Sequence, residues 1–184
     1  SVGLCKTRTT SANFQPLAAI FGQSKYIKMG LEIERKFLVN KDKWEKLNLA
    51  NFEYINQGYI SVEPHKTIRV RKSLTKAFLT IKGITENATR QEFEYEIPIS
   101  DAEQLLEKFS TNNLEKKRYE IQYCGKTWEI DEFLGKNKGL LVAEIELESE
   151  DEEFDKPEWL DEEVTNDAKY YNSNLTINPF ENWK

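Results

Sequence analysis

Leu31-Glu32-Ile33-Glu34-Arg35-Lys36-Phe37-Leu38-Val39 decides how this chain is read. Polar and apolar residues alternate along it. Glu32, Glu34 and Lys36 lie on one side; Leu31, Ile33, Phe37 and Val39 lie on the other, with Arg35 among them. A period of two marks a strand, because successive side chains point to opposite faces of a pleated backbone. Two carboxylates on one face repel each other, by roughly 4 kcal/mol at ~4 Å and an effective dielectric near 20. Water screens that repulsion on an open surface. In an enclosed site a cation must offset it, and a metal ion is the obvious one. Alone, the stretch fits a solvated strand face equally well.

Working outward, the same alternation recurs. Residues 52–62 read as a strand containing Gln57-Gly58-Tyr59, and 63–66 as a turn. Residues 67–71 set Arg69 and Arg71 against Ile68 and Val70; residues 77–82 set Thr80 and Lys82 against Leu79 and Ile81. Residues 83–89 make a connection, and 92–97 alternate with Glu92, Glu94 and Glu96 on one face. Further strands fall at 116–121 (Lys116, Arg118 and Glu120 on one face), 127–131 (Glu129 and Asp131) and 141–148 (Glu144, Glu146 and Glu148), with a turn at 135–139. Two helices are expected: 41–49, with Trp44 and Leu47 on one side, and 100–110, opened by a Ser100…Glu103 capping box and striped by Leu105, Leu106 and Phe109. The acidic tail is expected to be helical in pieces, pinned by Trp159 and Leu160.

The polar faces segregate by sign. Glu32/Glu34, Glu94/Glu96, Glu129/Asp131 and Glu144/Glu146 are acidic; Arg69/Arg71, Lys82 and Lys116/Arg118 are basic. A half-exposed sheet mixes signs within strands. Segregation argues for a closed or nearly closed barrel with charge inside and its apolar outer face covered by helices, an α+β fold.

The bulk numbers agree with one domain. The chain has 184 residues, 39% hydrophobic and 32% charged, with a net charge of −6. Residues 144–163 hold twelve acids and one lysine, a net −11, so the rest of the chain is +5. No long basic run favours nucleic acid, and no apolar stretch is long enough to span a membrane. Two cysteines, Cys5 and Cys124, make no disulfide framework, and a reducing, cytoplasmic setting is the simpler reading. His65 is the only histidine, which excludes a multi-histidine zinc site. Residues 1–28 carry Lys6, Arg8, Lys25 and Lys28 but no acid, and are rich in Ser, Thr and Ala. They read as a leader or tag-like tail, or as a transit peptide, leaving 29–184 as the single folded domain.

Arginines and lysines around one cavity suit a polyanion, since guanidinium pairs bidentately with phosphate. Carboxylates without histidine suit hard cations such as Mg²⁺ or Mn²⁺. The combination implies phosphoryl-transfer chemistry, without a P-loop, since GxxxxGK[ST] is absent.

Glu32-Ile33-Glu34-Arg35-Lys36 resembles the ExExK signature of the CYTH superfamily, the triphosphate tunnel metalloenzymes. Gln57-Gly58-Tyr59, Arg69-Val70-Arg71, Thr80-Ile81-Lys82, Glu94-Tyr95-Glu96, Lys116-Lys117-Arg118-Tyr119, Asp131, Glu144-Ile145-Glu146 and a tail with Val164-Thr165, Asp167 and Lys169-Tyr170-Asn172 follow in the family's order, so the resemblance spans about residues 29–178. It implies an eight-stranded antiparallel β-barrel forming a tunnel that binds triphosphates with a divalent metal. Glu32, Glu34 and Glu146, then Glu144 and Asp131, are the implied metal ligands; Arg69, Arg71, Lys82, Lys116 and Arg118, with Glu94 and Glu96, form the implied substrate site. Lys36 and Tyr59 are expected near the phosphate being cleaved, and Lys169 and Tyr170 on a plug at one tunnel mouth. The expected activity is hydrolysis of tripolyphosphate to pyrophosphate and phosphate. The alternatives are a class IV-type adenylate cyclase, although the usual His-Phe lead-in is missing, and a non-catalytic polyphosphate-binding module. A small-molecule substrate is the expected partner, with the oligomeric state open and a homodimer among the options.

Overall fold

The deciding stretch lies within β1 (Tyr26–Val39), which changes partner halfway along. The computed structural model describes residues 26–184 except Pro64, Thr85, Thr111 and Lys184. The expected leader therefore lies outside the described residues up to position 25, as does Pro64 of the 63–66 turn; β1 itself reaches back three residues before Met29. From Tyr26 to Ile33, β1 pairs with β5 (Thr89–Ile97); from Glu34 to Leu38 it pairs with β8 (Leu141–Glu146). At the change-over the Glu34 N–H donates to the Ala88 carbonyl (3.1 Å) and the Leu147 N–H to the Ile33 carbonyl (2.8 Å), so the backbone stays paired.

The remaining strands complete the ring. β2 (Glu53–Glu63), β3 (Lys66–Lys72), β4 (Ala77–Lys82), β6 (Asn113–Tyr123) and β7 (Lys126–Phe133) join in the order β1-β5-β4-β3-β2-β6-β7-β8 and back to β1, every pair antiparallel. Eight strands thus form a closed barrel. A ninth, β9 (Leu160–Glu163), lies along β1 at Phe37 and Val39, where the acidic tail was expected to be helical.

Closure gives each alternating strand a dry outside and a charged inside. On one flank Phe37, Trp128, Ile130, Ala143 and Ile145 face outward and are buried under Leu147, Phe154 and Trp159. Trp128 meets Phe154 and Trp159 edge-on, with ring centroids 5.7 Å apart in both pairs. The segment 147–160 is therefore a strap over the barrel, with its acids outward. On the other flank α2 (Ile99–Lys108) lays Ala102 and Leu106 on Val70 and Ala77. Phe109 is exposed rather than part of the stripe, and the capping box does not form: α2 starts after Pro98, and the Ser100 hydroxyl donates to Asp101 instead (3.3 Å). α1 (Lys41–Glu45) ends four residues earlier than expected, after placing Trp44 against Tyr119. Among the described residues no helix is long and apolar enough to cross a membrane.

One end of the barrel is sealed from inside. Leu114, Phe133 and Val142 follow the charged residues on the inward faces of β6, β7 and β8, and Val164, Tyr170 and Leu175 close over them. Tyr170 and Leu175 come from a 3₁₀ turn and α3 (Asn172–Ile177), so Tyr170 belongs to the plug while Lys169 stays exposed.

Candidate active site in the barrel interior

The barrel encloses a cavity of about 780 Å³. Its β1–β8–β7 wall is acidic. Glu34 stands directly opposite Glu146 across β1 and β8, Lys36 opposite Glu144, and Glu144 opposite Glu129 across β8 and β7. The facing β3–β4 wall carries Arg69, Arg71 and Lys82, with Arg118 of β6, and Tyr59 and Thr165 complete the lining near Lys36. Alternation put each charge inward; ring closure put the two signs face to face.

Glu32, Glu34, Glu92, Glu94, Glu129 and Glu144 are each held by a cation. Lys36 donates to Glu34 (2.5 Å) and to Glu144. Burial works against the Lys36 charge, yet Glu144 and Glu34 hold its pKa above the ordinary lysine value. Lys82 contacts Glu32 (3.1 Å) and Glu92 (2.7 Å), and Arg90 donates to Glu32 (2.5 Å). Burial would raise the Glu32 carboxyl, but Lys82 and Arg90 pull it far below the usual range; burial likewise opposes Glu144, and Lys36 and Arg118 hold it well down. Burial pushes Glu92 and Glu129 up, and lowers Lys82 despite its carboxylate partners.

Glu94 gathers the basic wall. It accepts from Arg71 (3.1 Å), Arg69 (3.3 Å) and the Thr80 hydroxyl (2.8 Å). The Nε atoms of both arginines nevertheless stay buried with no acceptor. Two unused cationic donors on cavity-lining side chains leave room for an anion. Tyr59 is buried, its hydroxyl accepting from Gln57 (3.1 Å), and burial pushes its pKa up to about 12, so the phenol stays protonated.

The expected site residues do not all reach the cavity. Glu32, Glu34, Lys36, Tyr59, Arg69, Arg71, Lys82, Glu94, Arg118, Glu144 and Glu146 line it; Lys116, Asp131 and Glu96 do not. Asp131 shares the inward face with Glu129 and Phe133 but lies deeper along the barrel, toward the sealed end; it is fully buried, with Arg118 at 2.7 Å and Lys116 paired to the same carboxylate oxygen. Burial, with Arg118 nearby, lowers the Lys116 ammonium to about 8. Glu96 sits one step too far along β5, opposite Phe78. Glu92 takes the inward place instead, with Arg90 two residues before it and Glu129 across from Glu144. The signal for Arg90 was present, since Arg90, Glu92 and Glu94 share one alternation.

The donor set fits a hard divalent cation in chemistry: carboxylate oxygens only, with Glu34 and Glu146 set in a directly opposed like-charge pair that a cation would relieve. Among the described residues no three such ligands are gathered ready for a metal. Lys36, Lys82 and Arg90 pair with Glu32 and Glu34 instead.

Fold and site define a class in which the interior of a closed antiparallel barrel, rather than a cleft, is the binding site. The chain belongs to the CYTH domain family, whose model matches residues 30–176. An inorganic triphosphatase of Acetivibrio thermocellus is 47% identical over 157 residues, covering 85% of this chain and 99% of that protein. An inorganic triphosphatase of Nitrosomonas europaea is 34% identical over 150 residues, covering 79% and 97%. A crystal structure of an inorganic triphosphatase matches with a TM-score of 0.55 at 32% identity, covering 79% of this chain and 94% of that one.

Proposed function

We propose that this protein hydrolyses inorganic tripolyphosphate to pyrophosphate and phosphate with Mg²⁺ or Mn²⁺. The observation that carries the reading is the pair of facing walls, carboxylates opposite guanidinium and ammonium groups, with the Arg69 and Arg71 Nε donors unused. The two relatives named inorganic triphosphatase, matched over nearly their whole length, support the same chemistry.

In this reading Arg69, Arg71, Lys82 and Arg118 grip the phosphate oxygens, and the protonated Tyr59 phenol donates a further hydrogen bond. Glu94 holds two of the guanidiniums in place; Asp131, beside Lys116 and nearer the sealed end, holds Arg118. Glu32, Glu34 and Glu146 hold the cation, with Glu144 beside them. Bound there, the cation would neutralise phosphate charge and lower the pKa of a water. Hydrolysis joins a water oxygen to a terminal phosphorus and breaks the anhydride P–O bond; pyrophosphate leaves, phosphate forms, and the water's protons go to the products or to solvent. Lys36 lies between the acidic wall and Tyr59, where it offsets charge growing on the transferred group.

Phosphate release from tripolyphosphate and from ATP, with Mg²⁺, with Mn²⁺ and with chelator, tests the proposal. Metal-dependent release, faster from tripolyphosphate, is expected. Cyclic AMP with pyrophosphate from ATP would assign a cyclase instead, and tight triphosphate binding without turnover a binding module.

A further inference from the structure

Arg90 is the cavity cation that the sequence motifs leave unassigned. It opens β5 directly opposite Glu32 of β1, donates to Glu32 (2.5 Å) and stands 4.0 Å from Glu34. These are its ion pairs among the described residues. Its side chain is 25% exposed, against 8% for Lys82 and 10% for Lys36, so it sits nearer the open mouth, beside Asn87 and Ala88. Its charge is felt at both Tyr59 and Lys82, within the anion-binding part of the cavity.

We propose that Arg90 is a substrate-binding residue with two stations: it neutralises Glu32 and Glu34 in the empty cavity, and turns to the triphosphate when a divalent cation takes those carboxylates. This rests on the proposed function. The physical reason is charge balance. A carboxylate pair cannot keep a guanidinium and accept a dication without displacing one of them, and the displaced guanidinium needs a new anion. The triphosphate is the nearest polyanion, and the guanidinium fork matches its oxygens. Metal and substrate thereby favour each other's binding through one side chain. Lys82, more deeply buried and shared with Glu92, lacks that freedom.

Two measurements on the full chain test this. Electron paramagnetic resonance titration follows Mn²⁺ binding without substrate, and steady-state kinetics give KM for tripolyphosphate. Arg90→Gln removes the competitor for Glu32, so Mn²⁺ should bind several-fold more tightly without substrate, while KM should rise about tenfold or more from loss of a charge-assisted contact. Arg90→Lys keeps charge without the fork: Mn²⁺ binding should stay near the unaltered protein's and KM should still rise. Should Arg90→Gln fail to fold, Arg90→Lys alone decides, and an unchanged KM overturns the proposal. Unchanged or weaker Mn²⁺ binding in folded Arg90→Gln, or an unchanged KM, also overturns it. If the unaltered protein binds no Mn²⁺, or Glu32→Gln leaves Mn²⁺ binding intact, the metal assignment itself fails, which is a separate result.

Discussion

Glu94 touches two guanidiniums and a hydroxyl at once, and is the residue whose loss leaves most charge unbalanced on the basic wall. Removing one partner of a buried pair leaves the other charge desolvated and alone, at a cost of about 3–5 kcal/mol. Glu94→Ala should lower the unfolding free energy read from urea titration by that order, and Glu94→Gln, which keeps an acceptor oxygen, by less. The acidic wall makes a pH prediction. Glu32 and Glu144 have folded pKa values below 4.5, so the unfolded chain binds more protons between those values and 4.5. Their stabilisation is fully present above about pH 4.5 and is lost as pH falls through the folded values. Urea midpoints should be flat in this contribution down to pH 4.5 and then drop, less steeply in Glu144→Gln.

At the scale of elements, β2 and α2 show how a small residue sets a close approach. A Cβ on Gly58 would fall 2.2 Å from the Ser110 hydroxyl, 2.5 Å from Asn113 Oδ1 and 2.9 Å from Leu106. The contacts come from α2, the loop after it and the first residue of β6, not from the cavity. Gly58→Ala should therefore force α2 away and cost about 1–3 kcal/mol of stability, seen as a lowered melting temperature. Gln57 and Tyr59, on either side, would shift with the strand, so KM for tripolyphosphate should rise too. β1 works differently. Its polar alternation continues unbroken from Glu32 to Lys36 while its partner changes between Ile33 and Glu34, which places carboxylates at the seam between β5 and β8.

For the whole molecule, closure makes the interior a cage of ion pairs with donors to spare. An anion that binds only the folded barrel stabilises it by mass action, about 2.7 kcal/mol at a hundredfold excess over Kd. For a chain of this size, each kcal/mol raises the melting temperature by roughly 2–4 °C. Tripolyphosphate with Mg²⁺ should therefore raise the melting temperature by several degrees, and chelator should reverse part of the shift. A melting temperature indifferent to tripolyphosphate at millimolar concentration would count against an interior anion site.

Strand positions, inward faces and the barrel itself were legible in the chain, because alternation at a period of two is a local property and sign segregation by strand has few other uses. The ExExK stretch, Arg69/Arg71, Lys82 and Glu144/Glu146 all line the cavity on the faces that alternation assigns. What alternation lacks is depth along the barrel axis. Glu92, Glu94 and Glu96 share one face, and only the register of β5 against β4 and β1 decides that the first two line the cavity while Glu96 stops beside Phe78. Asp131 and Lys116 fall deeper, toward the sealed end, for the same reason, and register likewise makes Arg90 the partner of Glu32. Trp159 and Leu160 were legible as pins of the tail, but the course of the strap at 147–160 and the strand β9 were not, because Leu147, Phe154, Trp159 and Leu160 follow no local period and gain only from the outer face of a barrel already closed. The sequence by itself thus determined which side chains face inward and what chemistry they carry; the tertiary structure decided which of them meet, since register, shear and closure are set by pairings between residues far apart in the chain.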